Sequence, residues 1–255
     1  MKVDFAKLDR AFNPRTVAVV GASKKNHFHW LRNLREFQGK VYSVQVNPES
    51  IEGIKALGLE NVTSLLEIPV PVDLVIVTTP RALALQILED CILIEAGAVH
   101  FFSSGFGETG QEEGMELERS LVEKAERSDF HIVGINCRGI FTPQIGLKQI
   151  SEQYSGLSGP VGLISQSGGH AMTFSRQAFL QGLYINKSIS FGNGIVLDAG
   201  DFLEYFGQNP EIEAIGMYLE GVKDGKRFFD VLKKVSAQKP VVILKGGRKA
   251  MADGL

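Results

Sequence analysis

Two turns of small residues, each placed directly after an apolar run, are the segments of this sequence best suited to bind phosphate. The first, Gly21-Ala22-Ser23, follows the run 16–20, and the second, Ser165-Gln166-Ser167-Gly168-Gly169, follows the run 161–164. Where a strand turns into a helix through small residues, free backbone N–H groups point outward and the helix macrodipole adds partial positive charge. Two such turns in separate halves of the chain predict two bound phosphoryl groups.

The first turn lacks the pattern of a dinucleotide site. The motif G-x-G-x-x-G needs three glycines and an acidic residue about 20 positions later. Only Gly21 fits, and the second apolar run leads into Asn47-Pro48 rather than an acid, which argues against a redox enzyme. Lys24 and Lys25 favour a ligand with more phosphate than NAD, such as coenzyme A. A tight turn that binds nothing is the alternative interpretation.

The second turn offers hydroxyl and amide donors to one phosphoryl group. We expect Ser165, Ser167, Gly168 and Gly169 to bind it, whereas His170 is expected to be a partly buried helix residue. Glu220 ends a later apolar run and would repel phosphate unless a protonated group, such as a histidine, lies between them. An ordinary exposed glutamate is the alternative.

Short apolar runs alternate with helical patterns along the whole chain, which predicts an α/β protein with parallel sheets. A segment rich in Gly, Ser, Pro and Gln, residues 136–160, divides the chain into domains 1–145 and 146–255. The predicted strands are 17–21, 41–46, 74–78, 98–102, 132–135, 161–165, 188–191, 214–219 and 241–245. The predicted helices are 28–37, 81–95, 112–127, 169–182, 199–208 and 225–238.

Ligands of open α/β sheets bind outside the carboxyl ends of the strands. In the first domain these ends are small, polar or turn-forming, which suits an extended polar ligand. The residues predicted to bind it are Gly21, Ala22, Ser23, Lys24, Asn47, Pro48, Thr79, Pro80, Ser104, Gly105 and Asn136. Gly105, Gly107 and Gly110 predict a flexible loop that either closes over the ligand or only connects two elements.

Composition excludes several classes of partner. The chain has 255 residues, 44% of them hydrophobic, and a net charge of −2 without a basic stripe, so neither nucleic acid nor a membrane is expected. Two cysteines do not make a disulfide framework, and no secretory signal is present, which predicts a cytoplasmic protein. His27 and His29 lack further ligands, so no metal site is expected.

Eight motifs, in this order, carry a resemblance to the α-type half of the nucleoside-diphosphate-forming acyl-CoA synthetases, relatives of the succinyl-CoA synthetase α subunit. They are Val17-Ala18-Val19-Val20-Gly21-Ala22-Ser23, Val46-Asn47-Pro48, Ser104-Gly105-Phe106-Gly107-Glu108-Thr109-Gly110, Gly134-Ile135-Asn136-Cys137-Arg138-Gly139, Ile164-Ser165-Gln166-Ser167-Gly168-Gly169, Gly192-Asn193, Asp201-Phe202-Leu203-Glu204-Tyr205 and Tyr218-Leu219-Glu220-Gly221. The resemblance covers nearly the whole chain.

The resemblance implies a Rossmann-like CoA-binding domain followed by a flavodoxin-like ligase domain. In that family an acyl phosphate and CoA give acyl-CoA, and the phosphoryl group moves to a histidine that a swinging loop carries to an ATP-grasp module. It further implies that Glu220 stabilises the phosphohistidine, which the serine-glycine turn holds. The partners would be CoA, a small carboxylic acid and an ATP-grasp module or β subunit that uses ATP/ADP and Mg, in a homo- or hetero-oligomer.

The sequence departs from the family pattern in three places. Ile135 stands where the family usually has proline, and Val196 where an acid often follows. The stretch Lys245-Gly246-Gly247-Arg248 matches the segment before the phosphorylated histidine, which the sequence to Leu255 does not reach. We therefore expect a ligase domain incomplete at its C-terminus, without that histidine. A non-catalytic CoA- or nucleotide-binding module is the alternative.

Overall fold

The computed structural model describes residues 3–246, whose first half forms a six-stranded parallel sheet with the order β3-β2-β1-β4-β5-β6. The strands are β1 (Thr16–Val20), β2 (Lys40–Val44), β3 (Glu60–Val62), β4 (Leu74–Val77), β5 (Ala98–Phe101) and β6 (Ile132–Gly134). The helices are α1 (Phe5–Phe12), α2 (His29–Asn33), α3 (Pro48–Ala56), α4 (Ala84–Leu93) and α5 (Glu112–Arg127).

The direction of winding in this sheet reverses between β1 and β4. From β1 the chain adds β2 and β3 on one side, and from β4 it adds β5 and β6 on the other. Every residue of β1, β4 and β5 is buried, as expected for strands covered on both faces. A crevice opens at such a reversal, outside the carboxyl ends of the two strands. Gly21 and Thr78 follow β1 and β4 at this point.

The second half forms a five-stranded sheet with the order β11-β10-β8-β9-β7. Its strands are β7 (Gly139–Phe141), β8 (Val161–Ser165), β9 (Ile185–Ser190), β10 (Ala214–Leu219) and β11 (Val241–Lys245). All of its pairs are parallel except β7 with β9, which is antiparallel. The helices are α6 (Gly168–Leu180), α7 (Ala199–Gln208) and α8 (Gly225–Ser236). Gly247 and Arg248 lie outside the described residues.

Helix α1 joins the two halves. The Phe12 ring lies 5.0 Å from the Tyr205 ring and 5.5 Å from the Phe206 ring, both on α7. The Tyr205 hydroxyl donates a hydrogen bond of 2.7 Å to Asp9, and the Thr142 hydroxyl donates one of 2.7 Å to the Phe12 carbonyl. Aromatic contacts of this kind stabilise by roughly 0.5–1.5 kcal/mol each beyond the area they bury. One apolar core therefore runs from α1 into the second half.

The sequence prediction of an α/β fold with parallel sheets is confirmed, but its list of elements is incomplete. Helices α1 and α3 and strands β3 and β7 were not predicted, and α2 covers only five residues of the expected 28–37. Strand β7 lies within the segment taken as an irregular junction, because three residues are too few to show a period. The domain boundary after residue 145 stays a prediction, although β7 already pairs with the second sheet.

No helix in residues 3–246 combines the length and the apolar character that crossing a membrane requires. The longest helix in this range, α5, has 16 residues and carries acids along its exposed face. A bilayer core needs about 20 consecutive apolar residues in a helix.

Candidate functional site: the carboxyl edges of the two sheets

The turn after β1 is ordered by the protein itself rather than left open for a ligand. The Gly21 N–H donates to the Val44 carbonyl at 3.1 Å, and the Ser23 N–H donates to the Asn26 side-chain oxygen at 2.9 Å. Among residues 3–246 the N–H of Ala22 has no protein acceptor. The expectation of a turn rich in free amides therefore holds only in part.

No α-helix follows this turn directly, which corrects the macrodipole argument made from the sequence. Residues 24–26 form a single 3₁₀ turn, His27 and Phe28 have left-handed backbone angles, and α2 then has only five residues. So short a helix carries little dipole. Any positive charge at the first turn comes from the exposed side chains of Lys24 and Lys25.

Gly21 is required here by both its backbone angle and its surroundings. Its φ is +87°, and a Cβ at this position would clash with the side chain and the backbone nitrogen of Thr79. Glycine adopts this angle without the steric cost that a side chain brings. The close contact brings the ends of β1 and β4 together. Within residues 3–246 the buried Thr79 hydroxyl oxygen beside it has no hydrogen-bond partner, which leaves a polar atom for a ligand.

One cavity of about 550 Å³ brings together predicted residues from both halves of the chain. Its lining includes Thr79, Pro80, Ser104 and Asn136 from the first half and Gly168 from the second. The sequence assigned these residues to two separate sites. In the structure the carboxyl edges of the two sheets meet, so both sets border the same space.

Asn47 and Pro48 do not line this cavity, and they have a structural role that the sequence reading missed. The Asn47 side chain accepts a hydrogen bond of 3.1 Å from the Ser50 N–H, and Pro48 occupies the first turn of α3. Asparagine at the N-cap and proline at the first helical position are both typical of a helix start. The signal, Asn-Pro before a helical pattern, was present in the sequence.

The glycine loop after β5 is tied down in this structure rather than open. Glu108 accepts hydrogen bonds from the N–H groups of Gly105 (2.6 Å) and Phe106 (3.1 Å), and Arg81 donates to the Gly105 carbonyl. Phe106 is fully buried. Burial acts to raise the pKa of Glu108, but its hydrogen bonds to Gly105 and Asn193 outweigh burial and hold this pKa below its usual range.

Glu108 also links the two halves at the rim of the cavity. It accepts a hydrogen bond of 2.8 Å from the Asn193 side chain, and the backbone N–H of Asn193 donates to the Ile135 carbonyl at 3.1 Å. The Asn136 side chain donates to Asn193 at 3.4 Å. Gly192 precedes Asn193, and a Cβ on it would overlap the carbonyl oxygens of Ile135 and Asn136. These contacts fix the two strand edges against one another.

The turn after β8 has the geometry expected of an anion-binding helix start. The Ser167 hydroxyl caps α6 by accepting a hydrogen bond of 3.4 Å from the His170 N–H. Within residues 3–246 the N–H groups of Gly168 and Gly169 have no protein acceptor. Because α6 has 13 residues, its N-terminus carries the dipole that α2 lacks.

Ser165 does not offer a hydroxyl to this site, which differs from the expectation. Its side chain is buried, and the hydroxyl donates to the Ser167 carbonyl at 2.7 Å. Ser165 therefore shapes the turn. The donors that face outward are the two glycine amides and, depending on its rotamer, the hydroxyl of Ser167.

Gln166, which the sequence reading did not single out, brings Glu220 to this turn. Its side-chain oxygen accepts hydrogen bonds from the N–H groups of Glu220 (2.7 Å) and Gly221 (3.0 Å). Lys245 donates to the Glu220 carbonyl at 2.8 Å. The Glu220 residue itself is exposed. Three hydrogen bonds thus fix the backbone of Glu220 and Gly221.

His170 is exposed rather than partly buried, which corrects the interpretation made from the sequence. Its ring stacks on Tyr218 with centroids 4.0 Å apart, and its Nδ1 lies 3.0 Å from the Ser167 hydroxyl. Both rings border an apolar cavity of about 660 Å³ between α6 and the face of β10 and β11.

His100, His131 and both cysteines are buried. Burial lowers the pKa of His100 to about 4. Burial lowers the pKa of His131 to about 4 as well. Burial raises the pKa of the Cys137 thiol to about 12 and that of the Cys91 thiol further. In the described residues no group of three or more metal-ligating side chains occurs.

Two family models match the chain. The one described as a CoA binding domain matches residues 15–143, and the one described as a succinyl-CoA ligase like flavodoxin domain matches residues 158–254. The first covers half of the chain. Together they include both turns and the cavity between them.

Curated relatives match along most of the chain. The alpha subunit of acetate–CoA ligase (ADP-forming) II of Pyrococcus furiosus is 40% identical over 245 residues, which are 94% of this chain and 52% of the relative. The alpha subunit of the ADP-forming ligase I of the same organism is 37% identical, over 94% of this chain and 53% of that subunit. The chain spans about half the length of these curated relatives.

A solved structure has the same arrangement of both halves. The apo form of the dinucleotide-forming acetyl-coenzyme A synthetase 1 of Ca. Korarchaeum cryptofilum superimposes with a TM-score of 0.84 at 32% identity. The superposition covers 95% of this chain and 53% of that one.

Proposed function

The chain belongs to the nucleoside-diphosphate-forming acyl-CoA synthetase family, whose CoA-binding domain and flavodoxin-like ligase domain it carries, and we propose that it binds coenzyme A and a phosphoryl group at the facing sheet edges. Coenzyme A would lie along the first sheet at Gly21, Thr79 and Asn136. The phosphoryl group would lie at Ser167, Gly168 and Gly169. The cavity lined by Thr79, Asn136 and Gly168 carries the proposal, because it allows the thiol and the phosphoryl group to meet.

The residues of the first edge fit coenzyme A. The glycine at position 21 lets a ligand backbone approach the ends of β1 and β4, and the buried Thr79 hydroxyl lacks a partner that a ligand would supply. Lys24 and Lys25 are exposed beside the turn and bear charge opposite to phosphate. Ala22, Ser23, Ser104 and Gly105 complete the same edge, and Pro80 lines the cavity.

In the reaction that follows, an acid, CoA and ATP give acyl-CoA, ADP and phosphate through an acyl phosphate. The thiolate attacks the acyl carbon, the bond between that carbon and the bridging oxygen breaks, and the released phosphate stays at the amides of Gly168 and Gly169. Donors that are already oriented stabilise the charge on the leaving phosphate without reorganisation.

Glu220 would act on the phosphoryl group before that step, when the acyl phosphate forms. In the complete enzyme a histidine that has taken the phosphoryl group from ATP would be brought to the turn, where a carboxylate on one ring nitrogen orients it while an oxygen of the acid attacks phosphorus and the bond from phosphorus to the other ring nitrogen breaks. Glu220 is exposed on a backbone that Gln166 and Lys245 hold, which supports this role. We expect the histidine, the ATP-grasp module and the Mg ion to come from outside residues 3–246, in a cytoplasmic homo- or hetero-oligomer that takes a small carboxylic acid.

Calorimetric titration of the protein with CoA tests the proposal. The variant Lys24→Glu places an acid beside the first turn and is expected to weaken CoA binding about fivefold, as a partly screened charge pair does. Lys40→Glu is the matched control, since Lys40 is also exposed but lies at the amino end of β2, on the opposite edge of the sheet. No heat of binding at millimolar CoA, or equal losses in both variants, would contradict a CoA site at the first turn.

A further inference from the structure

Arg138 is a charged side chain at the junction of the two sites for which neither the family pattern nor the proposed reaction has a role. It follows Cys137 between β6 and β7 and lines the same cavity as Thr79, Ser104 and Gly168. Its backbone N–H donates to the Ser190 hydroxyl at 3.1 Å, so the residue is anchored to β9. The chain thus places a guanidinium between the two strand edges.

This guanidinium has no acidic partner among residues 3–246. Ten ion pairs occur there, and none includes Arg138. Glu108, the acid on the same rim, accepts its hydrogen bonds from Gly105, Phe106 and Asn193. Arg138 is half-buried, and burial lowers the pKa of its guanidinium, as expected for a cation that loses water without gaining an anion.

Packing against Phe102 and Gly168 fixes the position of the Arg138 side chain. The guanidinium carbon lies 4.9 Å from the centre of the Phe102 ring, a cation–π distance. The Phe102 ring is braced edge-on by the buried Trp30, at 5.8 Å between centroids. On the other side, a Cβ on Gly168 would lie 2.8 Å from the Arg138 Cγ, so the glycine makes room for the arginine.

The two histidines near Arg138 carry no charge near neutral pH. His29 and His100 both have lowered pKa values, chiefly through burial and in part through the positive charge of Arg138. The guanidinium therefore keeps its single positive charge without a second cation beside it from either ring. A half-buried, unpaired guanidinium with five donors is suited to bind the oxygens of a phosphoryl group in bidentate fashion.

We propose that Arg138 binds the phosphoryl group of the acyl phosphate in the cavity between the two sheet edges. The inference rests on the proposed function and adds to it the residue that neutralises the phosphoryl charge while the thiol of CoA reacts. Arg138 would touch the phosphoryl oxygens together with the amides of Gly168 and Gly169. It would then be a substrate-binding residue of the reaction.

Calorimetry with inorganic phosphate, acetate and CoA as separate probes tests this inference. Arg138→Met keeps the aliphatic stem over Phe102 and removes the charge, and we expect phosphate to bind at least about tenfold more weakly. Arg138→Lys restores the charge without the planar fork and is expected to recover part of the affinity. Arg176→Gln, an exposed arginine on the same α6 as Gly168, is the matched control and is expected to bind phosphate like the unaltered protein.

A second variant covers the case in which Arg138→Met does not fold. Gly168→Ala keeps the guanidinium but displaces its stem, so phosphate affinity is again expected to fall while CoA affinity stays unchanged. Unchanged phosphate binding in both Arg138 variants, with CoA bound normally, would overturn the inference and leave the proposed function intact. A loss of acetate binding alone would also overturn it. An unaltered protein that binds neither CoA nor phosphate would refute the proposed function, and the inference with it.

Discussion

The turn after β1 and the turn after β8 have similar sequences but organise their amides in different ways. After β1, Asn26 and the neighbouring strand accept the N–H groups of Ser23 and Gly21, and no helix of useful length follows. After β8, Ser167 caps a helix of 13 residues, and the amides of Gly168 and Gly169 have no acceptor in the described part of the chain. A strand followed by small residues therefore predicts that a ligand can approach the backbone closely. Whether a helix dipole is also present depends on the length of the helix that follows the turn.

The difference suggests a division of labour between the two edges. The first edge offers a ligand a close approach at Gly21, the Thr79 hydroxyl and the positive charges of two lysines, which suits a long ligand such as CoA. The second binds through oriented amides, which suits a compact phosphoryl group. A substitution at one edge is therefore expected to leave ligand binding at the other edge unchanged.

The largest expected effect follows from Glu220→Gln. The complete enzyme should lose phosphotransfer by about 100-fold or more, because a positioned charge that acts on the reacting group is removed. CoA affinity should not change, since Glu220 belongs to the second edge. Single-turnover phosphorylation measures the loss of phosphotransfer, and calorimetry with CoA measures the affinity that should stay unchanged. Equal losses in the two measurements would contradict the division between the edges.

Acid should destabilise the first half more than the second. His100 and His131 are buried in the first sheet with pKa values lowered to about 4, against about 6.5 when unfolded. The two histidines contribute fully to the free energy of unfolding above pH 6.5. This contribution is lost as the pH falls toward 4, because the unfolded state then binds more protons. Each histidine accounts for up to about 3 kcal/mol of unfolding free energy.

Trp30 is the single tryptophan and lies 5.2 Å from His100, so urea unfolding followed by its fluorescence reports on this half. The variant His100→Gln keeps a donor for the Cys137 carbonyl and should flatten the decline between pH 6.5 and 4. A decline of the same size in the variant would contradict the assignment to His100.

Gly21→Ala should destabilise the first edge by about 1–3 kcal/mol through its positive φ, with a further cost from the contact with Thr79. Gly58→Ala is the matched control, since Gly58 has a similar φ of +74° and open space around it. The difference in unfolding free energy between the two variants isolates the contact. CoA affinity should fall in the first variant alone. Equal stability of both would show that β1 and β4 do not meet at Gly21.

The smallest expected effects come from the side chains that order each turn. Asn26→Ala removes the acceptor of the Ser23 N–H, and Ser167→Ala removes the cap of α6, each at about 1 kcal/mol of stability. The first should weaken CoA binding only and the second phosphate binding only, as measured by calorimetry on both variants. A variant that weakens the binding of both CoA and phosphate would contradict the existence of two separate sites.

Strong periodic patterns made much of the fold predictable from the sequence. Helix α5 and strands β8, β10 and β11 have the predicted bounds, because each is a continuous pattern between clear breaks. Helix α3 was missed because its start was taken as a ligand site, although Asn-Pro is a common helix cap. Strand β7 was missed because three residues show no period.

The candidate site was predictable in its residue types but not in its geometry. Sequence reading found Gly21, Thr79 and Gly168, but the meeting of the two sheet edges depends on α1 packing against α7, which no local pattern reports. Gln166 and Arg138 were passed over because their importance comes from contacts made across the fold.

The most direct test of two distinct sites is a map of backbone amide chemical shifts during separate titrations with CoA and inorganic phosphate. CoA is expected to shift the amides of Ala22 and Thr79, and phosphate those of Gly168 and Gly169. Shifts from both ligands at the same turn, or from CoA at Gly168 and Gly169 alone, would contradict an account in which each sheet edge binds its own phosphoryl group.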